Sequence, residues 1–332
     1  MSILNFIALL GGLAFFLYGI NVMSYGLESL SGGRLEHVLK KASQNKWLSI
    51  FFGAVITIAI QSSSALTVML VGLVNAGVLE FGQTICVMMG SNIGTTLTAW
   101  ILSLTGIESN IFWLQLFKPI NFSAIFAFIG ILLTAFGKKQ KHKTAGNILL
   151  GFAILMYGMD IMGNSMEPLT EMESFTGLLT AFENPLASVL IGTVFTGIIQ
   201  SSAASVGVLQ ALSLSGRITY GMAIPIIMGQ NIGTCVTALI SALGASRNAK
   251  KVAVVHLAFN IIGTAVCLIP YLLLDSVFRF AITDTEITPF MIAALHSIFN
   301  VVNTLILLPF TKQLEKIADI VCGDKKKKRV NS

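Results

Sequence analysis

Two short polar runs in an otherwise apolar chain carry groups able to bind a solute: Gln61-Ser62-Ser63-Ser64 and Gln200-Ser201-Ser202-Ala203. An amide beside hydroxyls is costly in an apolar medium unless each group finds a partner, so the repeated run asks for a ligand or a tightly packed polar seam. A helix beginning at Ser62 to Ala65 would offer free backbone N–H groups and the positive end of its dipole, and with the Ser hydroxyls these receive an oxyanion without any Lys or Arg. Oxygens of Gln61, Ser63 and Ser64, joined by carbonyls of unwound backbone, also suit a hard cation such as sodium. Helix-on-helix packing accounts for a single membrane Ser, but poorly for a duplicated Gln-Ser-Ser.

A second pair of motifs follows about thirty residues later, Met89-Gly90-Ser91-Asn92-Ile93-Gly94-Thr95-Thr96 and Met228-Gly229-Gln230-Asn231-Ile232-Gly233-Thr234-Cys235. Two glycines and an Asn midway along an apolar run read as a helix that unwinds, freeing carbonyls that only a cavity or an ion would satisfy. Asn92, Thr95, Thr96, Asn231 and Thr234 are therefore candidate ligands, with Thr98 and Thr237 one turn further in support. The bland alternative is a glycine packing face. His256 and Asn260, four apart on one helix face, recur as His296 and Asn300. They read as locks between helices, with a proton-carrying imidazole as the other reading. There is no HExxH, GxSxG or paired intramembrane Asp, so no enzyme chemistry is indicated. Cys86, Cys235, Cys267 and Cys322 lack metal-ligand spacing and read as packing residues, so no cofactor is expected beyond coupling sodium ions.

These groups need long apolar elements to hold them. With 332 residues, 55% hydrophobic, 11% charged and a mean hydropathy of +0.82, the chain reads as a polytopic all-α membrane protein rather than a soluble domain. Its first apolar run lacks a basic n-region and a small-x-small cleavage site, and reads as a retained helix rather than a signal peptide. A shift of 139 positions superposes Gly12 to Gly19 on Gly151 to Gly158, Gln61 on Gln200, and Asn92 on Asn231. Residues 53–101 and 192–240 then share 22 identities in 49 positions, which marks an internal duplication.

About seven runs are long enough to span, at 3–23, 84–104, 113–136, 145–165, 220–243, 252–274 and 289–310. The stretches 47–79 and 186–216 are too long for one crossing and are interrupted by the Gln-Ser motif, so each reads as a re-entrant hairpin. With hairpins, 18 of the 21 Lys and Arg residues fall on one side, in 24–46, 137–144, 245–251 and the C-terminal segment. The positive-inside rule makes that side the cytoplasm, with the N-terminus outside and the C-terminus inside. Each copy then holds three crossings and the copies are inverted. The expected organisation is a first repeat at 1–144 (hairpin 47–79, broken helix 84–104) and a second at 145–275 (hairpin 186–216, broken helix 220–243). An extra helix at 276–311 and a basic tail at 312–332 complete it. The acidic loop with Glu167, Glu171, Glu173 and Glu183 falls outside. Segment 27–41 reads as amphipathic, and Lys325 to Arg329 as an anchor near anionic lipid rather than a nucleic-acid patch.

The paired Gln-Ser-Ser runs, each followed by Gly-x-Asn-Ile-Gly-Thr, resemble the signature of the bacterial branch of the type II sodium-phosphate cotransporter family, over most of residues 10–310. The resemblance implies a sodium-driven symporter of inorganic phosphate in the cytoplasmic membrane, working by alternating access. On the matching positions it places Gln61, Ser62, Ser63, Ser64, Gln200, Ser201 and Ser202 at the phosphate and sodium sites, with Asn92, Thr95, Asn231 and Thr234 nearby. It departs from the pattern at Ala203, which lacks a hydroxyl, and at Phe117, which stands where the second repeat has His256. The likeness is to short members without a PhoU-like domain. Expected partners are phosphate, sodium and lipid, with no nucleic acid and with self-association left open. A carrier or exporter of another oxyanion, or a passive channel, is the other functional reading.

Overall fold

The computed structural model describes residues 3–31, 45–104, 119–166 and 180–323. The stretch of 27–41 beyond Ser31, most of the acidic loop, Lys118 and the basic run at 325–329 lie outside those residues. Among the described residues the chain is nearly all helix, as the apolar runs predict. In chain order we number α1 (Ile3–Ser31), α2 (Lys46–Ile60), α3 (Ser63–Asn75), α4 (Phe81–Ser103), α5 (Pro119–Phe136), α6 (Gln140–Met166), α7 (Pro185–Ile199), α8 (Ser202–Ser213), α9 (Tyr220–Ser241), α10 (Arg247–Phe278), α11 (Pro289–Leu307) and α12 (Thr311–Val321).

Six helical stretches among the described residues are long and apolar enough to cross a bilayer: α1, α4, α6, α9, α10 and the joined α11–α12. The seventh expected run, 113–136, is described only from Pro119, as α5. Phe128, Val277 and Ile198 are 65%, 73% and 75% exposed, an outward apolar surface that suits lipid rather than water. The chain is a multi-pass membrane protein.

The stretches 47–79 and 186–216 do not form single helices. In the first, Asn45 caps α2 by accepting from the N–H groups of Trp47 and Leu48, and α2 stops at Gln61, whose φ of 54° is left-handed. Asn184 caps α7 in the same way, Pro185 opens it, and Gln200 ends it at φ 60°. Left-handed backbone costs a non-glycine residue about 1–2 kcal/mol, and the only other described non-glycine residue with positive φ is Arg279. Thr196 on α7 and Ser205 on α8 would sit about 13 Å apart along one straight helix. Their hydroxyls are instead hydrogen-bonded at 2.7 Å, so the chain folds back at the break.

The motif helices depart from the expected unwinding: α4 and α9 run as continuous α-helix through Met89–Thr96 and Met228–Cys235. The glycines serve contact instead. A Cβ at Gly53, Gly90 or Gly94 would strike the backbone of Val87, Ile50 or Ala54, and one at Gly192, Gly229 or Gly233 would strike Ile226, Val189 or Thr193. Each contact in the first set recurs in the second at a shift of 139. The glycine-face reading of these motifs is correct, and close approach of α2 to α4 and of α7 to α9 is what it provides. The freed carbonyls are not needed because Thr95 and Thr234 donate back to the carbonyls of Ser91 and Gln230 on their own helices.

Helices α1 and α6 pack together through Gly12 beside Gly158 and Gly19 beside Gly151, so they run antiparallel. The two contacts exchange places under the same shift. Helix α12 lays Leu314 and Ala318 into the core. It ties in through Lys251 Nζ to Asp319 at 2.9 Å and through Lys46 Nζ, which donates to Thr311 Oγ1 at 2.9 Å.

Candidate functional site

The two breaks meet. Ser64 Oγ donates to the carbonyl of Gln200 at 3.3 Å, bringing positions 136 apart in sequence into contact. Beyond each break a new helix starts with its N-terminus at this junction. Ser62 caps α3 through Oγ, which accepts from Ala65 N, and its carbonyl accepts from Leu66 N. Ser201 does the same for α8 with Ala204 N and Ser205 N. The sequence expectation that the free donors begin at Ser62 and reach Ala65 is thus narrowed: the N–H of Ala65 is used by the cap. Those of Ser63 and Ser64, and of Ser202 and Ala203, remain at the helix ends. Ser63, Ser202 and Ala203 are buried, Ser62, Ser64 and Ser201 half-buried.

No Lys, Arg, Asp, Glu or His occurs from Trp47 to Leu79 or from Asn184 to Gly216. What these two stretches bring to the junction is therefore two helix dipoles and neutral hydroxyl and amide groups, a donor-rich setting for an anion with carbonyl oxygens beside it for a cation.

The motif helices stand behind the junction but are not equivalent. Thr98 Oγ1 donates to Gln61 Oε1 at 2.6 Å, and Gln61 Nε2 donates to the carbonyl of Ile58 at 2.7 Å. Thr237, the counterpart of Thr98, has a buried hydroxyl without a partner among the described residues, and Gln200 is exposed. Asn92 Nδ2 donates to Asn260 Oδ1 at 2.9 Å, and Asn260 Nδ2 donates to the carbonyl of His256 at 3.0 Å and lies 3.2 Å from Cys235 Sγ. Asn260 therefore joins α4, α9 and α10. His256 was expected to share that role; its Nδ1 is buried without a partner among the described residues. Asn231 Nδ2 returns to the carbonyl of Ile227 at 3.0 Å, and Thr96 Oγ1 to that of Ile93 at 2.8 Å. Thr95, Thr96, Asn231 and Thr234 thus turn their side-chain donors back onto their own helices, while Gln61, Ser64, Thr98, Asn92 and Asn260 join elements.

Several residues that hold the junction were not singled out from the sequence. Thr57 and Ser91 share a hydroxyl hydrogen bond of 2.8 Å between α2 and α4. Gln210 Nε2 donates to the carbonyls of Ala99 and Pro289, both at 2.9 Å, fixing α8 to α4 and α11. Thr264 and Thr304 reach toward the carbonyls of Met228 and Met89, both at 3.5 Å. Thr57 superposes on Thr196 under the 139 shift. The spacing of four in His256-Asn260-Thr264 and His296-Asn300-Thr304 marked the other pair.

The chain is similar to known proteins along its whole length. YqeW of Bacillus subtilis, which has no assigned function, is 30% identical over 97% of this chain and 98% of its own. YjbB of Escherichia coli, named provisionally for inorganic phosphate export, is 24% identical over 97% of this chain, which spans 56% of YjbB. The sheep sodium-dependent phosphate transport protein 2A is 32% identical over 40% of this chain and 23% of its own. No solved structure matches significantly. The profile of the Na+/Pi-cotransporter family matches twice, over residues 15–164 and 154–283, the two halves that the 139-residue shift relates, and the chain belongs to that family of transporters, not to a family of enzymes.

Proposed function

We propose that this protein is a sodium-coupled symporter of inorganic phosphate that works by alternating access in the cytoplasmic membrane. The observation that carries the reading is the meeting of the two breaks at Ser64 and Gln200, where two helix N-termini and seven hydroxyl or amide side chains, none of them charged, belong to the converging segments. A phosphate held by neutral donors alone keeps its own charge, and a sodium ion bound beside it offsets that charge. Each ion then favours the other, which is the coupling that symport requires. Gln61, Ser62, Ser63, Ser64, Gln200, Ser201 and Ser202 are the binding residues on this reading, with Thr98 holding Gln61 of the first tip and Asn92 tying α4 to α10.

The two halves are read as inverted repeats with re-entrant tips. Support comes from the antiparallel α1–α6 contact whose glycine pairs exchange under the repeat shift, from the fold-back at Thr196–Ser205, and from the sorting of Lys and Arg to one side. Symport runs in whichever direction the combined gradients point, so a relative named for export and relatives named for sodium-dependent phosphate transport are compatible with one mechanism. The test is uptake of radiolabelled phosphate into proteoliposomes, competed by arsenate and by sulfate. Arsenate, a tetrahedral oxyanion of like protonation, is expected to compete. Equal competition by sulfate would overturn the assignment of phosphate in favour of a general oxyanion carrier.

A further inference from the structure

The two halves share an architecture but not a hydrogen-bond pattern. Two shifts relate them: 139 positions carry α2, α3 and α4 onto α7, α8 and α9, and 40 positions carry His256-Asn260-Thr264 of α10 onto His296-Asn300-Thr304 of α11. The structure obeys both at once. Thr264 of α10 meets the carbonyl of Met228 on α9, and Thr304 of α11 meets that of Met89 on α4, at the same 3.5 Å. Thus α11 stands to α4 as α10 stands to α9. Asn260 and Asn300 also make the same bond to their own helix, to the carbonyls of His256 and His296 at 3.0 and 2.8 Å.

Against that shared frame, cross-helix bonds made in the first half are missing in the second. Asn92 donates to Asn260, but Asn231 turns back to Ile227 and leaves Asn300 Oδ1 buried without a partner among the described residues. Thr98 donates to Gln61, but Thr237 leaves Gln200 alone and its own hydroxyl unpartnered. Thr57 bonds Ser91, but Thr196 bonds Ser205, and Gln230 Oε1, at the position of Ser91, has no partner among the described residues. Each missing bond leaves a buried polar atom unsatisfied, which is costly in a low-dielectric interior. In two of the three comparisons the residues are identical in both halves, so composition is not the cause.

We propose that the two sets are alternating halves of one latch: in the state of opposite access Asn231 pairs with Asn300 and Thr237 with Gln200, while Asn92 releases Asn260 and Thr98 releases Gln61. A side-chain rotation at Asn231 would redirect Nδ2 from the Ile227 carbonyl to Asn300 Oδ1, so the exchange conserves the number of hydrogen bonds and favours neither state by count. The half that is unlatched is the half whose tip glutamine is free to meet ligand, here Gln200. The inference rests on the alternating-access part of the reading above and not on phosphate being the solute.

The test uses the full chain with Cys86, Cys235, Cys267 and Cys322 replaced by Ala or Ser, in membranes oxidised with a membrane-permeant oxidant such as iodine. The Asn92→Cys/Asn260→Cys variant and the Asn231→Cys/Asn300→Cys variant are each expected to form a bridge, and each bridge to arrest flux until reduced. A variant carrying all four substitutions is expected to form either bridge but not both in one molecule. Both bridges in one molecule, or failure of the second pair to bridge under any sodium or phosphate condition, overturns the latch. Should a cysteine pair fail to give a monodisperse protein, Asn92→Ser and Asn300→Ser replace it. Their half-saturating phosphate concentrations, measured from the two membrane faces, are expected to shift in opposite senses by about three- to tenfold, the worth of one hydrogen bond. Shifts in the same sense overturn the exchange. Alternating bridges in a protein that moves no phosphate would retain the latch and reject the substrate. Phosphate flux without the second bridge would do the reverse.

Discussion

One substitution, made at two positions related by the internal duplication, is expected to act with different sign. Thr→Val replaces a hydroxyl by a methyl of nearly the same volume. At Thr98 it removes a 2.6 Å hydrogen bond to Gln61 Oε1. Gln61 keeps its bond to Ile58 and sits half-buried, so its orphaned oxygen is partly solvated, and the loss is the net worth of one bond, about 1 kcal/mol. At Thr237 the hydroxyl is buried and unpartnered, so its removal relieves a desolvation penalty of about 1–3 kcal/mol or is neutral. The two variants should therefore differ by at least about 1 kcal/mol in the stability of the state described here. At roughly 2–4 °C per kcal/mol for a large domain, Thr98→Val melts a few degrees below the parent and Thr237→Val at or above it. The assay is a thermal melt of purified protein in one detergent, free of phosphate. Equal destabilisation by both variants would refute the asymmetry and with it the assignment of Thr98 as the holder of the first tip.

Further outcomes follow from the packing. Gly229→Ala drives a Cβ into the Val189 backbone and is expected to cost about 1–3 kcal/mol, whereas Gly72→Ala meets nothing within 4 Å and is expected to be neutral or slightly stabilising; melts of both check this. Ser201→Ala loses the cap of α8 and is expected to lower stability by about 1 kcal/mol, with Ser201→Gly milder. Asp319→Asn leaves the buried Lys251 ammonium without its 2.9 Å carboxylate partner. As that carboxylate is 40% exposed, a loss of about 1–2 kcal/mol is expected, weakly dependent on salt, measured by melts at low and high ionic strength.

The apolar runs and the internal duplication were enough to place most of the helices among the described residues. Helix α2 falls on α7 under the 139 shift at both ends, and Gln61 and Gln200 take the same left-handed backbone. What the sequence hid was the use to which each polar group is put. Asn-Ile-Gly-Thr read as an unwound helix because glycine, Asn and Thr in an apolar run have two outlets, freed backbone or close packing. Only the approach of α4 to α2 decides between them. Ser62 and Ala203 were visible as letters, but that Ser62 would take the Ala65 N–H depends on where the helix starts. The unequal roles of Thr98 and Thr237, alike in sequence and flanked alike, belong to tertiary geometry.

The most direct test of the central claim is phosphate uptake into proteoliposomes under an inward sodium gradient, beside the same vesicles without it, for the parent, Ser63→Ala and Gln200→Ala. Accumulation is expected only with sodium in the parent and not at all in either variant, each of which should still purify as a folded protein. Sodium-independent phosphate flux in the parent, or full uptake by both variants, would contradict that claim.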